Sequence, residues 1–137
     1  MNIDDVKESE IKGDKLETIF KRQLELIEKY HVIEKANGLL ITEDVPVDLD
    51  SAKGQQRLKD FAWRVTEELG EAMNCLKNKP WKQTQMETDK EHFVEEIADA
   101  FHFFIELCIL IGLDAESLTN IYLKKSEVNK FRQRSQY

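Results

Sequence analysis

A chain of 137 residues, with 41% hydrophobic and 34% charged residues, is one domain's worth and long enough to bury a core. Its 5 glycines and 2 prolines are too few for the many turns of a sandwich or barrel. A net charge of −7 argues against a surface that grips nucleic-acid phosphates, so a phosphate ligand would need cations to bring it in.

The pattern predicts one all-α domain over 1–137, a bundle of four main helices, with residues 1–14 a flexible N-terminal extension. That acidic start, MNIDDVKESE, has neither the basic nor the apolar region of an export signal, so none is expected. Helix one is expected from Lys15 to about Tyr30, with Leu16, Ile19, Phe20, Leu24 and Ile27 at helical spacing. From Asn37 to Asp50 the Asn-Gly and Val-Pro breakers predict a loop, with room for a short extended piece. Asp50 or Ser51 can cap helix two, expected to continue to about Asn78. Its apolar stripe is Leu58, Phe61, Ala62, Val65, Leu69, Ala72, Met73 and Leu76, and Trp63 falls off it.

Pro80 and the polar run to Asp89 make a connection to helix three, which is expected from near Lys90 to Gly112. Its apolar run from Phe101 to Leu113 is interrupted by His102 and Glu106 and is too short for a membrane span. Asp114 can cap helix four, which carries Leu118, Ile121, Tyr122, Val128 and Phe131. Cys75 and Cys108 sit in apolar helical stretches with no CxxC spacing, as reduced core residues of a cytoplasmic protein would.

Helix three is apolar on more than one side. One face holds Phe93, Val94, Ile97, Phe101, Phe104, Ile105 and Cys108, while Phe103, Leu107 and Leu110 occupy the opposite side of its C-terminal half. A helix apolar all round must be covered all round, so a homodimer is expected to complete the core, with Phe103, Leu107 and Leu110 facing the second copy.

Two fragments carry acid pairs at helical spacing: Glu68 with Glu71, and Glu96 with Asp99. The two pairs lie symmetrically about the loop near Gln83 and Thr84. An antiparallel hairpin would therefore set Glu68 opposite Asp99 and Glu71 opposite Glu96. Four carboxylates converging between apolar stripes are costly without a counterion, and one or two hard divalent cations bound through oxygen would resolve that cost. Magnesium suits carboxylate, water and phosphate oxygens together. The bland reading of any one pair is solvated surface, since the chain has 27 acidic residues.

ExxE on one helix followed by ExxD on the next resembles the all-α nucleoside triphosphate pyrophosphatases, which include the MazG-like enzymes and the dimeric dUTPases. The dimeric dUTPase branch is the nearer likeness. LETIFKRQLELIEKY (Leu16 to Tyr30) is similar to its first motif, Glu96-Asp99-His102-Phe103 to its ExxDxxHF run, and YLKKSEVNKFRQRSQY (Tyr122 to Tyr137) to its C-terminal motif. The chain departs from the pattern in being short and in having Gln136 where a glycine before the final tyrosine is expected.

What the resemblance implies is hydrolysis of a nucleoside triphosphate, dUTP in that branch, to the monophosphate and pyrophosphate. Two or more magnesium ions per site would be held by Glu68, Glu71, Glu96 and Asp99, with manganese a possible substitute. Glu71 or Glu68 would orient or deprotonate the attacking water. Gln23 would read the base, Trp81 would stack on it, and Lys125, Asn129 and Arg132 would bind the nucleotide. The same site would serve a MazG-like pyrophosphatase acting on dCTP, purine deoxynucleotides or several triphosphates. A di-iron bundle needs ExxH twice, and the chain offers only Asp99-x-x-His102. The remaining alternative is a non-catalytic helical adaptor with solvated acids. Neither nucleic acid nor membrane is an expected partner.

Overall fold

A computed structural model of the chain describes residues 1–39 and 45–135. Part of the expected loop, at 40–44, lies outside the described residues, as do Gln136 and Tyr137 of the C-terminal motif. Among the described residues the protein is all-helical. A one-turn 3-10 helix at Ile3–Asp5 precedes four α-helices, α1 (Lys15–Ala36), α2 (Ala52–Asn74), α3 (Lys90–Leu110) and α4 (Ala115–Arg134). None of the helices is long and apolar enough to cross a membrane.

The start signals act as their chemistry requires. Asp14 accepts from the Glu17 amide, Ser51 from the Gly54 amide, and Asp114 forms a reciprocal capping box with Ser117. At α3 the Asp89 carboxylate accepts from the His92 amide at 3.1 Å. Two ends differ from expectation. Helix α1 runs on from Tyr30 to Ala36, because nothing before Asn37 breaks it. Helix α2 stops at Asn74 rather than near Asn78, with the Cys75 amide donating back to the Ala72 and Met73 carbonyls. Asn78 instead ties the α2–α3 connection together. Its side chain donates to the Met86 carbonyl and accepts from the Met86 amide, both at 2.7 Å.

The chain divides into two compact units. The first comprises Met1–Glu10 and Asp48–Leu107, and its frame is α2 with most of α3. The Phe61 and Phe103 rings meet with centroids 6.4 Å apart, and the Arg64 guanidinium lies over both, 4.6 Å and 5.9 Å from their centres. Seven residues further along α2, Glu68 meets Glu96, seven residues back along α3. The two helices are therefore an antiparallel hairpin, and Phe61, Glu68 and Ala72 on α2 face Glu96, Ala100 and Phe103 on α3.

The second unit comprises Ile11–Val47 and Cys108–Tyr137. Within it α1 packs on α4, and α1 buries Phe20, Gln23 and Ile27, whereas Ile19 and Leu24 of the expected stripe are exposed. The Val47 amide donates to the Leu110 carbonyl at 2.8 Å. Gly112, at φ +84°, makes the left-handed turn that ends α3, and a Cβ there would stand 3.1 Å from Pro46.

One expectation is reversed. The face assigned to a second copy is the covered one: Leu110 is fully buried and Phe103 and Leu107 are half-buried. The last turns of α3 bury Ile105, Glu106, Cys108, Ile109 and Leu110. The residues left open are Val94, Ile97, Phe101 and Phe104, which the sequence pattern assigns to the core. Periodicity reveals that two faces are apolar but not which one another helix occupies.

Candidate metal centre

The hairpin brings carboxylates together between its helices. Glu68 of α2 and Glu96 and Asp99 of α3 each offer an oxygen within 4.8 Å of the other two. Glu96 is buried, and Glu68 and Asp99 are partly so. Side-chain position follows from helix phase: Glu68 lies on the stripe with Phe61 and Ala72, so it is carried into the seam that the aromatic pair closes.

The electrostatic consequence falls on Glu68. Burial raises its pKa from 4.5 to about 7, helped by hydrogen bonding to the Glu96 side chain and by repulsion from Glu71, Asp99 and Glu96. Near neutral pH the metal-free seam therefore holds a proton that an isolated glutamate would have lost. On α3, Glu96 Oε2 is buried with no hydrogen-bond partner among the described residues, and the His92 Nε2 lies 3.6 Å from Oε1. A buried carboxylate oxygen without a donor is a costly arrangement that a cation relieves. An all-oxygen set of this kind fits a hard divalent ion, so the residues present suit magnesium or manganese.

The register differs from the symmetric pairing of acids. Glu68 sits between Glu96 and Asp99 rather than opposite Asp99 alone, and Glu71 is not among the three converging groups. Counting residues from the loop fixes distance along the axis but ignores direction around it. Glu71 lies about 80° off the seam. It acts on Glu68 through charge and lines an adjoining cleft of about 450 Å³. Asn74, Cys75, Lys77, Asn78, Thr88 and His92 are among the other residues lining that cleft.

His92, beside the cluster, is absent from the sequence-derived candidates. Its spacing carries a signal: it precedes Glu96 by four residues, one helical turn, which places both on one face of α3.

The other candidates are placed as follows. Trp81, in the α2–α3 connection, is largely exposed, with the Lys79 ammonium 5.9 Å from its ring centre. Gln23 is buried on α1, in the second unit. Lys125 and Asn129 line one groove of about 230 Å³ on α4 with Tyr122, Ser126, Lys130 and Gln133, while Arg132 is not among its lining residues. Three of the acids are thus brought together within one unit, and the nucleotide-binding candidates other than Trp81 lie in the other.

Comparisons with protein-family models, with curated proteins and with solved structures yield no match for the chain.

Proposed function

We propose that this protein is a magnesium-dependent nucleoside triphosphate pyrophosphohydrolase that cleaves dUTP to dUMP and pyrophosphate. The observation that carries the reading is the meeting of Glu68, Glu96 and Asp99 oxygens within 4.8 Å of one another, with one buried oxygen of Glu96 unsatisfied. Clustered anions with an acceptor to spare are what a cation-dependent phosphate chemistry needs. The choice of a triphosphate, and of uracil, rests on the resemblance of the acid pairs and of the segments around Gln23 and Asn129 to the dimeric dUTPases.

On this reading Glu68, Glu96 and Asp99 would hold the metal, with Glu68 in its ionised form. Magnesium held there would supply charge neutralisation at the phosphate oxygens and a nucleophilic water at neutral pH. Glu71, which lines the cleft and acts on Glu68 through charge, would orient that water and take its proton. The Gln23 amide carries both a donor and an acceptor, as reading a pyrimidine edge requires. The reading includes a homodimer and a reducing, cytoplasmic setting, with which the unpaired thiols of Cys75 and Cys108 agree.

Incubation with a panel of ribo- and deoxyribonucleoside triphosphates, with Mg²⁺ and with EDTA, followed by product identification, tests the proposal. Monophosphate and pyrophosphate should form from dUTP only with the metal present. Release of inorganic phosphate instead would place the cleavage at another bond. No consumption of any triphosphate, combined with no divalent-cation binding, would leave the helical adaptor.

A further inference from the structure

Helix α3 carries a third polar side chain on the face that bears Glu96 and Asp99. His92, Glu96 and Asp99 stand at i, i+4 and i+7, a spacing that keeps them within about 60° of one another around the helix. Glu71 lies one turn beyond Glu68 along α2, and His92 one turn before Glu96 along α3. In an antiparallel pair both steps lead toward the α2–α3 connection, and both side chains line the cleft there.

The length of the His92–Glu96 contact argues against a simple hydrogen bond. The Nε2–Oε1 separation of 3.6 Å exceeds a hydrogen bond's range of roughly 2.7–3.2 Å. It falls instead between about 3.0 Å and about 4.2 Å, the separations of adjacent and opposite donor atoms bound at about 2.1 Å to one ion. Glu96 is the fixed member of the pair. It is only 8% exposed, its Oε2 has no hydrogen-bond partner among the described residues, and its Oε1 is the atom nearer the imidazole. A carboxylate buried to this extent with an acceptor to spare points to a ligand rather than to a solvated ion pair. The His92 side chain is 54% exposed, so turning it toward an ion at Glu96 disturbs little packing.

We propose that His92 is a metal ligand, its Nε2 joining Glu96 Oε1 on a divalent cation and so tuning the centre toward a first-row transition ion over magnesium. This rests on the metal reading above and adds a nitrogen donor to its oxygen set. Magnesium keeps an oxygen shell and gives up its waters reluctantly, whereas an imidazole nitrogen adds affinity for transition ions. Cys75 lines the same cleft, but its thiol is directed to the Glu71 carbonyl at 3.6 Å, which leaves the imidazole as the softer donor beside the acids.

Three measurements on the full chain test the proposal: Mn²⁺ affinity by electron paramagnetic resonance, Mg²⁺ affinity by displacement of Mn²⁺, and electron spin echo modulation from nitrogen coupled to the bound Mn²⁺. The wild type should show the nitrogen coupling. His92→Ala should abolish it, weaken Mn²⁺ binding at least about tenfold and change Mg²⁺ affinity less than about twofold, with helicity intact. His92→Gln, which can still donate a hydrogen bond to Glu96 but offers no imidazole nitrogen, should behave as the alanine variant does. Equal weakening of both ions in His92→Ala, or rescue of Mn²⁺ affinity by glutamine, would overturn the proposal, because His92 would then only position Glu96. Wild-type Mn²⁺ binding without nitrogen coupling would overturn it too, and would leave the carboxylate centre standing. Absence of any Mn²⁺ or Mg²⁺ binding by the wild type would defeat the metal reading itself, and the ligand role of His92 with it.

Discussion

Replacing Glu68 by glutamine should stabilise the metal-free protein while abolishing its response to divalent cations. Glu68 is held at a pKa of about 7 against an ordinary 4.5, first by burial, then by Glu96 and the neighbouring charges. The folded state therefore keeps a proton that the unfolded chain has released between pH 4.5 and 7. A pKa raised in this way makes its stabilising contribution below 4.5, and that contribution is lost as pH rises through 7. At pH 8 the cost of ionising Glu68 in place is at most about 3 kcal/mol. Solvent screening at a partly exposed group brings the expected figure to about 1–2 kcal/mol. Glutamine has the same shape and no charge, so it avoids that cost. For a chain of this size the gain is about 3–7 °C in melting temperature. Thermal denaturation followed by circular dichroism in EDTA should show this gain at pH 8 and only a few tenths of a kcal/mol at pH 4.5. Added Mn²⁺ should raise the melting temperature of the wild type and not of the variant. A gain of equal size at both pH values, or none at pH 8, would refute the electrostatic account of the seam.

Asp99→Asn and Glu71→Gln should each reduce pyrophosphohydrolase turnover at least about 100-fold with helicity intact, Asp99 by weakening metal binding and Glu71 with metal affinity largely kept; near wild-type rates in both would reject the proposed site. Gln23→Ala should lower kcat/KM for dUTP and narrow its margin over dCTP, while the metal requirement stays unchanged, since a site that pairs with one polar edge penalises a mismatched base. Equal wild-type rates on all deoxynucleotides, with no effect of Gln23→Ala, would exclude uracil selection and leave a broader pyrophosphohydrolase. Asn78→Ala removes both hydrogen bonds to the Met86 backbone and should destabilise the protein by about 1–2 kcal/mol, read by urea denaturation.

Local chemistry made much of the architecture legible from the sequence alone. Ser51 and Asp114 announced helix starts because a short side chain with an acceptor satisfies the first free amides, and Gly112 announced a stop because it takes a left-handed turn without strain. The i, i+3 spacing of Glu68 with Glu71 and of Glu96 with Asp99 put the acids on helical faces for the same local reason. What only the tertiary structure decided is which face meets which. The Phe61–Phe103 contact sets the register of the hairpin, and that register draws Glu68 in between Glu96 and Asp99 and leaves Glu71 at the cleft. It also reverses the two apolar faces of α3, burying Leu110 and leaving Phe101 and Phe104 open. Spacing along one helix records only phase relative to its own axis. The direction of the seam is a property of two helices packed together, fixed by how large side chains from both fill the space between them.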